Sequence, residues 1–145
     1  MNPGRLALTV VVATVADMIY GFLVYGLLLG ASFDQYPAVF RPSSDMSHVG
    51  YLVLAVLFIM LAAAFIYTKG YEGRGAVPEG LRFGCVVGTL MVGVAIVNFA
   101  ILNIGRRLTL LMAAAGFVEW LIMGVVIALV ANPAAPVRRG ARTPA

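Results

Sequence analysis

Four long apolar stretches separated by short polar segments make up almost the whole chain. The first runs from about Leu6 to Ala31, the second from about His48 to Thr68, the third from about Leu81 to Ile104 and the fourth from about Leu108 to Ala131. Neither strict alternation nor a polar stripe of helical period breaks these runs, which argues against half-buried strands and against amphipathic helices of a soluble domain. A helix needs roughly 20 apolar residues to cross a hydrocarbon core about 30 Å thick, and each stretch is of that length. The pattern predicts an all-α membrane protein, a four-transmembrane-helix bundle over residues 1–131, followed by a disordered basic cytoplasmic tail over 132–145. A cleaved signal peptide is the rival reading of the first run, with Ala16 at the cleavage position. The run continues to Gly30, beyond an h-region of about 7–15 residues, so a retained span is the expectation.

Composition supports lipid as the solvent. The 145 residues are 62% hydrophobic and 11% charged, whereas a soluble domain carries roughly 25% charged residues. So few charges cannot coat a water-exposed surface. A net charge of +4 raises the question of nucleic acid, but the ten Lys and Arg residues fall almost entirely between or beyond the apolar runs. There they read as contacts to anionic lipid headgroups, and no nucleic-acid partner is expected. Their distribution also predicts orientation. Arg5, Lys69, Arg74, Arg82, Arg138, Arg139 and Arg142 fall on one side, and Arg41, Arg106 and Arg107 on the other. The richer side is expected to be cytoplasmic, giving N-in and C-in, with the Arg106–Arg107 pair as a counter-signal.

The loops are short. Phe33, Tyr36 and Phe40, beside Pro37 and Pro42, are spaced like headgroup-level aromatics, with a substrate-gripping loop as the alternative. Gly70 to Gly80 is rich in glycine and reads as a turn-forming linker, with Pro78 and Glu79 suited to a helix start. No internal repeat emerges: superposing Arg5 on Arg82 puts Asp17 on Val94.

Lipid tails are as apolar as leucine, so helices in a bilayer associate through close packing and interhelical hydrogen bonds. Gly80, Gly84 and Gly88 form a row at four-residue spacing in the third span. Gly26 and Gly30 repeat the pattern late in the first, and Gly116 and Gly124 share a face of the fourth with Ala128. The three-glycine row marks the third span as an expected central packing element, within one chain or between copies.

Two carboxylates lie inside spans, Asp17 in the first and Glu119 in the fourth. An acid at the bilayer centre costs about 2.5–3.5 kcal/mol, against a return of roughly 0.3–0.6 kcal/mol for each Leu, Ile, Val or Phe. Insertion is affordable, but the acids require a purpose. Asp17 has Ala13, Thr14, Tyr20 and Gly21 at helical spacing, and Glu119 follows Ala115 and Gly116. Both therefore sit on faces suited to another helix. Asn98 is a further polar group within the third span. No Lys, Arg or His lies deep in any span, which leaves two resolutions. Either the acids are neutral and hydrogen-bond to Tyr20, Thr14 or Asn98, or they line a wet cavity that binds a proton, metal cation or organic cation.

Other chemistry is thin. The single cysteine, Cys85, excludes an internal disulfide. His48 with Asp45 supplies too few ligands for haem or zinc, so no cofactor or metal is expected. Trp120 beside Glu119 reads either as packed bulk or as a cradle for a hydrophobic cation. No nucleophile elbow, zinc-protease, phosphate-loop or dinucleotide signature occurs, so catalysis is not expected.

The segments Tyr67-Thr-Lys-Gly-Tyr-Glu-Gly and Glu79-Gly-Leu-Arg-Phe-Gly resemble those of small four-helix bacterial inner-membrane proteins grouped as domains of unknown function. The resemblance covers most of the second to fourth spans and implies a bacterial inner (plasma) membrane location. A looser similarity in layout is to small multidrug resistance transporters, in which an acid at the position matched by Asp17 lies at the midplane of the first helix. The present chain differs in carrying Asp there, a second acid at Glu119, a longer first loop and a basic tail. The expected function is that of a non-enzymatic helix-packing or accessory membrane component, as a homo-oligomer or beside a membrane-protein partner. The alternative is a proton- or cation-coupled small-molecule transporter using the midplane carboxylates.

Overall fold

A computed structural model describes residues 2–42, 44–73 and 75–132. Among the described residues every regular element is a helix, and there is no strand. Helix α1 (Pro3–Gly21) continues without a break into a π-helix (Phe22–Leu28), and a short helix α2 (Gly30–Phe33) opens the first loop. A 3₁₀ turn (Met46–His48) leads into α3 (Val49–Lys69), followed by α4 (Ala76–Ile101) and α5 (Arg106–Ala131). Four helical segments, Pro3–Leu28, Met46–Lys69, Ala76–Ile101 and Arg106–Ala131, are long and apolar enough to cross a membrane. The chain is thus a small multi-pass membrane protein with the expected four-helix architecture. The expected tail beyond Asn132, with Arg138, Arg139 and Arg142, lies outside the described residues, as does Arg74.

Local chemistry sets the helix starts. Asn2 caps α1, its Oδ1 accepting from the Gly4 N–H at 3.0 Å, and Pro3 occupies the first helical position. There a missing N–H is harmless, because the first N–H groups of a helix have no partner within it. Helix α4 begins at Ala76, inside the segment expected to be linker. Pro78 falls in its first turn, where it starts a helix rather than breaking one. The turn before it needs Gly73 and Gly75, at φ +83° and +97°, a region that favours residues without a Cβ.

The third span, α4, makes the most extensive helix contact, with α5, and α5 is the span that touches all the others. Helix α5 contacts α1, α3 and α4, whereas α4 packs chiefly along α5. The core gathers Val10 and Ala13 of α1, Met60, Ala64 and Tyr67 of α3, and Trp120, Met123, Ile127 and Ala128 of α5. The expected glycine row forms the α4–α5 contact. A Cβ at Gly80 would come within 2.6 Å of the Gly124 carbonyl oxygen and 2.7 Å of the Val125 Cα. One at Gly84 would collide with the Trp120 carbonyl, and one at Gly88 would meet the Phe117 ring at 2.9 Å. Backbones this close leave no room for a side chain, so the row is a steric requirement. Gly26 and Gly30 do not make a second such row within the chain. Gly26 is exposed, with only its own helix's Phe22 ring within 4 Å of an added Cβ. The two fall in different elements, Gly26 in the π-helix and Gly30 in α2 beyond Leu29, so no single helix face carries both.

Each end of the bundle is fastened by polar contacts. At one end Arg5 Nε donates to the Val130 carbonyl at 3.3 Å, and Asn132 Nδ2 donates to the Tyr67 hydroxyl at 3.0 Å. Beside them Arg82 Nη2 donates to the Gly70 carbonyl at 2.8 Å and to Glu79 Oε2 at 3.0 Å, while its Nη1 pairs with Glu72. Glu79, expected as a helix-start residue, is 2% exposed and accepts from the Glu72 N–H. At the opposite end the Tyr36 hydroxyl accepts from the Gly105 N–H at 3.0 Å, tying the first loop to the start of α5.

Candidate functional site

The two intramembrane acids meet. Asp17 of α1 and Glu119 of α5 face each other within hydrogen-bonding reach. Small residues flank both acids: Ala13, one turn before Asp17, is fully buried, and Gly116 lies one turn before Glu119. A Cβ at Gly116 would stand in ordinary contact with the Tyr25 hydroxyl at 3.7 Å and the Met91 Cβ at 3.6 Å, so this position faces both neighbouring segments.

Two tyrosines complete the cluster. Tyr25 donates its hydroxyl to Glu119 Oε2 at 2.9 Å, and Tyr20 donates to the Ala115 carbonyl at 2.8 Å. Their rings meet edge to face, with centroids 6.2 Å apart. Tyr20 was a candidate from its spacing to Asp17. Tyr25 was missed: positions 13, 14, 20 and 21 lie one turn from Asp17, and Tyr25 lies two turns on, at i+8, where helical spacing still returns to the same face. The π-helix carries this residue. Its turn is closed by bonds from i+5 to i, as in Leu29 N–H to the Val24 carbonyl at 2.9 Å, and so brings residues five apart toward one face. Tyr25 lies five residues after Tyr20.

The remaining candidates are placed differently. Thr14 is buried on the same face of α1 as Asp17, yet its hydroxyl has no hydrogen-bond partner among the described residues. Asn98 lies one turn from the end of α4, and no hydrogen bond joins its side chain to either acid. The structure therefore brings together Asp17, Glu119 and Tyr20, adds Tyr25, holds Thr14 nearby and leaves Asn98 out. Neither acid is in an ion pair with a described residue. Trp120 turns away from its neighbour Glu119 and packs edge-on against Phe83, in a buried aromatic row with Tyr67.

Aromatic contacts connect the cluster to the first loop. Tyr25 leans on Phe33 at 6.5 Å between centroids, and Phe33 meets Phe40 edge to face at 4.9 Å. Beyond them lies a separate exposed polar group. Asp45 accepts from the Ser47 hydroxyl and, at 3.0 Å, from the Ser47 N–H, with His48 Nδ1 3.6 Å from its other oxygen. Donation from the Ser47 hydroxyl and N–H holds the Asp45 carboxyl below the usual carboxylate range.

Two cavities lie at opposite ends of the bundle. One of about 290 Å³ is lined by residues of the N-terminus, the end of α3 and the end of α5, and one of about 90 Å³ is lined by first-loop residues and the start of α5. Neither is lined by Asp17 or Glu119. Comparison with protein-family models, with curated proteins and with solved structures gives no match.

Proposed function

We propose that this chain is a helix-packing or accessory component of a bacterial inner membrane, and that Asp17, Glu119, Tyr20 and Tyr25 form the polar fastening between its first and fourth spans. The observation that carries this reading is the direct convergence of the two carboxyls with the Tyr25 hydroxyl. Two carboxyl groups in hydrogen-bonding reach can bond to each other only by holding a proton between them. That proton and the tyrosine donor satisfy the acids without a cation. The N-in, C-in orientation belongs to the same proposal. Arg5, Lys69 and Arg82 balance Arg41, Arg106 and Arg107 among the described residues, so the bias rests on Arg74 and the tail arginines.

One observation favours a second reading, a proton-coupled carrier. The Thr14 hydroxyl is buried without a partner on the helix face that carries Asp17. Buried hydroxyls normally find a partner, and a proton-carrying water at the carboxyl pair would supply one.

Infrared spectra of purified wild type, Asp17→Asn and Glu119→Gln separate the two readings. Under the first, the amide variants assemble normally, and the carboxyl bands they abolish do not respond to added cations. Under the second, the variants also assemble, but the bands shift with cations and proton movement into liposomes is lost. Failure of both amide variants to assemble counts against the fastening role, since an amide hydrogen-bonds where a neutral acid did.

A further inference from the structure

The larger end cavity has a composition that the carboxyl pair does not explain. It is lined by Asn2, Arg5, Thr68, Tyr71, Ala131 and Asn132, and no carboxylate is among them. Arg5 is oriented by its Nε bond to the Val130 carbonyl, and its two terminal nitrogens bond to no described residue. The carbonyl oxygen of the Asn2 side chain is occupied by the Gly4 N–H, which leaves its amide nitrogen free to donate. The nearby acids Glu72 and Glu79 are engaged with Arg82. A cavity with one fixed guanidinium, neutral donors and no acid selects an anion with several oxygens.

Depth in the bilayer narrows the anion further. The cavity lies where α1 begins and α3 and α5 end, which is headgroup level. One turn deeper on the same three helices are Leu8, Phe65 and Leu129, with 55%, 54% and 50% of their surface exposed. These side chains offer apolar surface for acyl chains directly below the polar chamber. We propose that the cavity binds the phosphate of an anionic glycerophospholipid, with Arg5 and the Asn2 amide as its ligands and the acyl chains along Leu8, Phe65 and Leu129. Basic pockets between spans recognise anionic headgroups in this way.

Native mass spectrometry of the full chain, released from bilayers of mixed phosphatidylglycerol and phosphatidylcholine, tests the assignment. Wild type should retain one phosphatidylglycerol in preference to phosphatidylcholine. Arg5→Gln should lower that preference roughly fivefold or more, the worth of one basic contact at the surface. Arg5 also ties α1 to α5, so Asn2→Asp provides the variant that keeps the fold. It retains a cap acceptor for the Gly4 N–H and puts a carboxylate into the cavity, and it should abolish the preference. Arg107→Gln, at the other end, should leave it unchanged. Equal retention of the two lipids by wild type, an unaffected Asn2→Asp variant, or an equal loss in Arg107→Gln would overturn the proposal. Inorganic phosphate at millimolar concentration should leave the lipid in place. Its displacement of the lipid would assign the cavity to free phosphate instead.

Discussion

The fourth span meets its two main neighbours through opposite chemistries. Toward α4 it presents Gly124 and the backbone at Trp120 and Val125 to Gly80 and Gly84, and contact is between backbones. Toward the first span it presents Glu119 and the Ala115 carbonyl to Asp17, Tyr20 and Tyr25, and contact is through polar side chains. The first interface depends on the absence of a side chain at Gly80, Gly84 and Gly124, and its energy is dispersion summed over many close atoms. The second depends on a few directional groups, with Glu119 serving both Tyr25 and Asp17. The glycine interface should therefore fail on a single added side chain, whereas the polar interface should tolerate any change that preserves hydrogen bonding.

The largest expected effect follows from that contrast. Gly84→Leu forces a side chain into the Trp120 backbone, and since overpacking costs about 1–3 kcal/mol even where neighbours can shift, the α4–α5 contact should separate. Loss of cross-linking between cysteines placed on the two helices would register it; retained cross-linking would show that the contact is loose. Glu119→Leu comes next. It strands the Tyr25 hydroxyl and Asp17, and a buried group left without its partner costs about 1–3 kcal/mol. Unfolding in mixed micelles should show that loss for Glu119→Leu and little for Glu119→Gln; equal losses would mean that packing, not hydrogen bonding, holds the first span. Tyr25→Phe removes one bond and should cost about 0.6–1.7 kcal/mol, the range for hydrogen bonds between spans, in the same assay.

The smallest effect lies outside both interfaces and gives a baseline for them. Asp45 is held below the ordinary carboxylate range by Ser47. A depressed carboxyl stabilises the folded state above its unfolded pKa, and that contribution is lost as pH falls through the folded value. Ser47→Ala should raise the Asp45 titration toward the ordinary range, as read from its carboxyl carbon by NMR, without altering either helix interface. A change in the α1–α5 contact would mean that the loop and the carboxyl site are linked through Phe40, Phe33 and Tyr25.

The aromatic loop residues illustrate how far pattern reading reaches. Phe33, Tyr36 and Phe40 stand out by type and spacing, but nothing in that spacing says that Tyr36 bonds to Gly105 or that Phe33 leads to Tyr25. Glu79 is a similar case. Its position suits a helix start, yet its burial depends on Arg82 and Glu72 closing over it from the same helix and from the preceding loop.

What the sequence determined by itself is the set of properties that depend on neighbours along the chain. Four apolar runs of membrane length dictate four spans, the glycine row marks the helix face that must meet another backbone, and two acids without cations mark polar positions that need partners. Tertiary structure alone decided which helix is central, that Asp17 and Glu119 partner each other, and that Tyr25 joins them while Asn98 does not. Those outcomes depend on helix rotation and neighbour choice, and in an all-apolar bundle nearly every face of every span looks alike. Tyr25 stands two turns beyond Asp17, in the π-helical end of the span, and its bond to Glu119 exists only once the first and fourth spans are packed together.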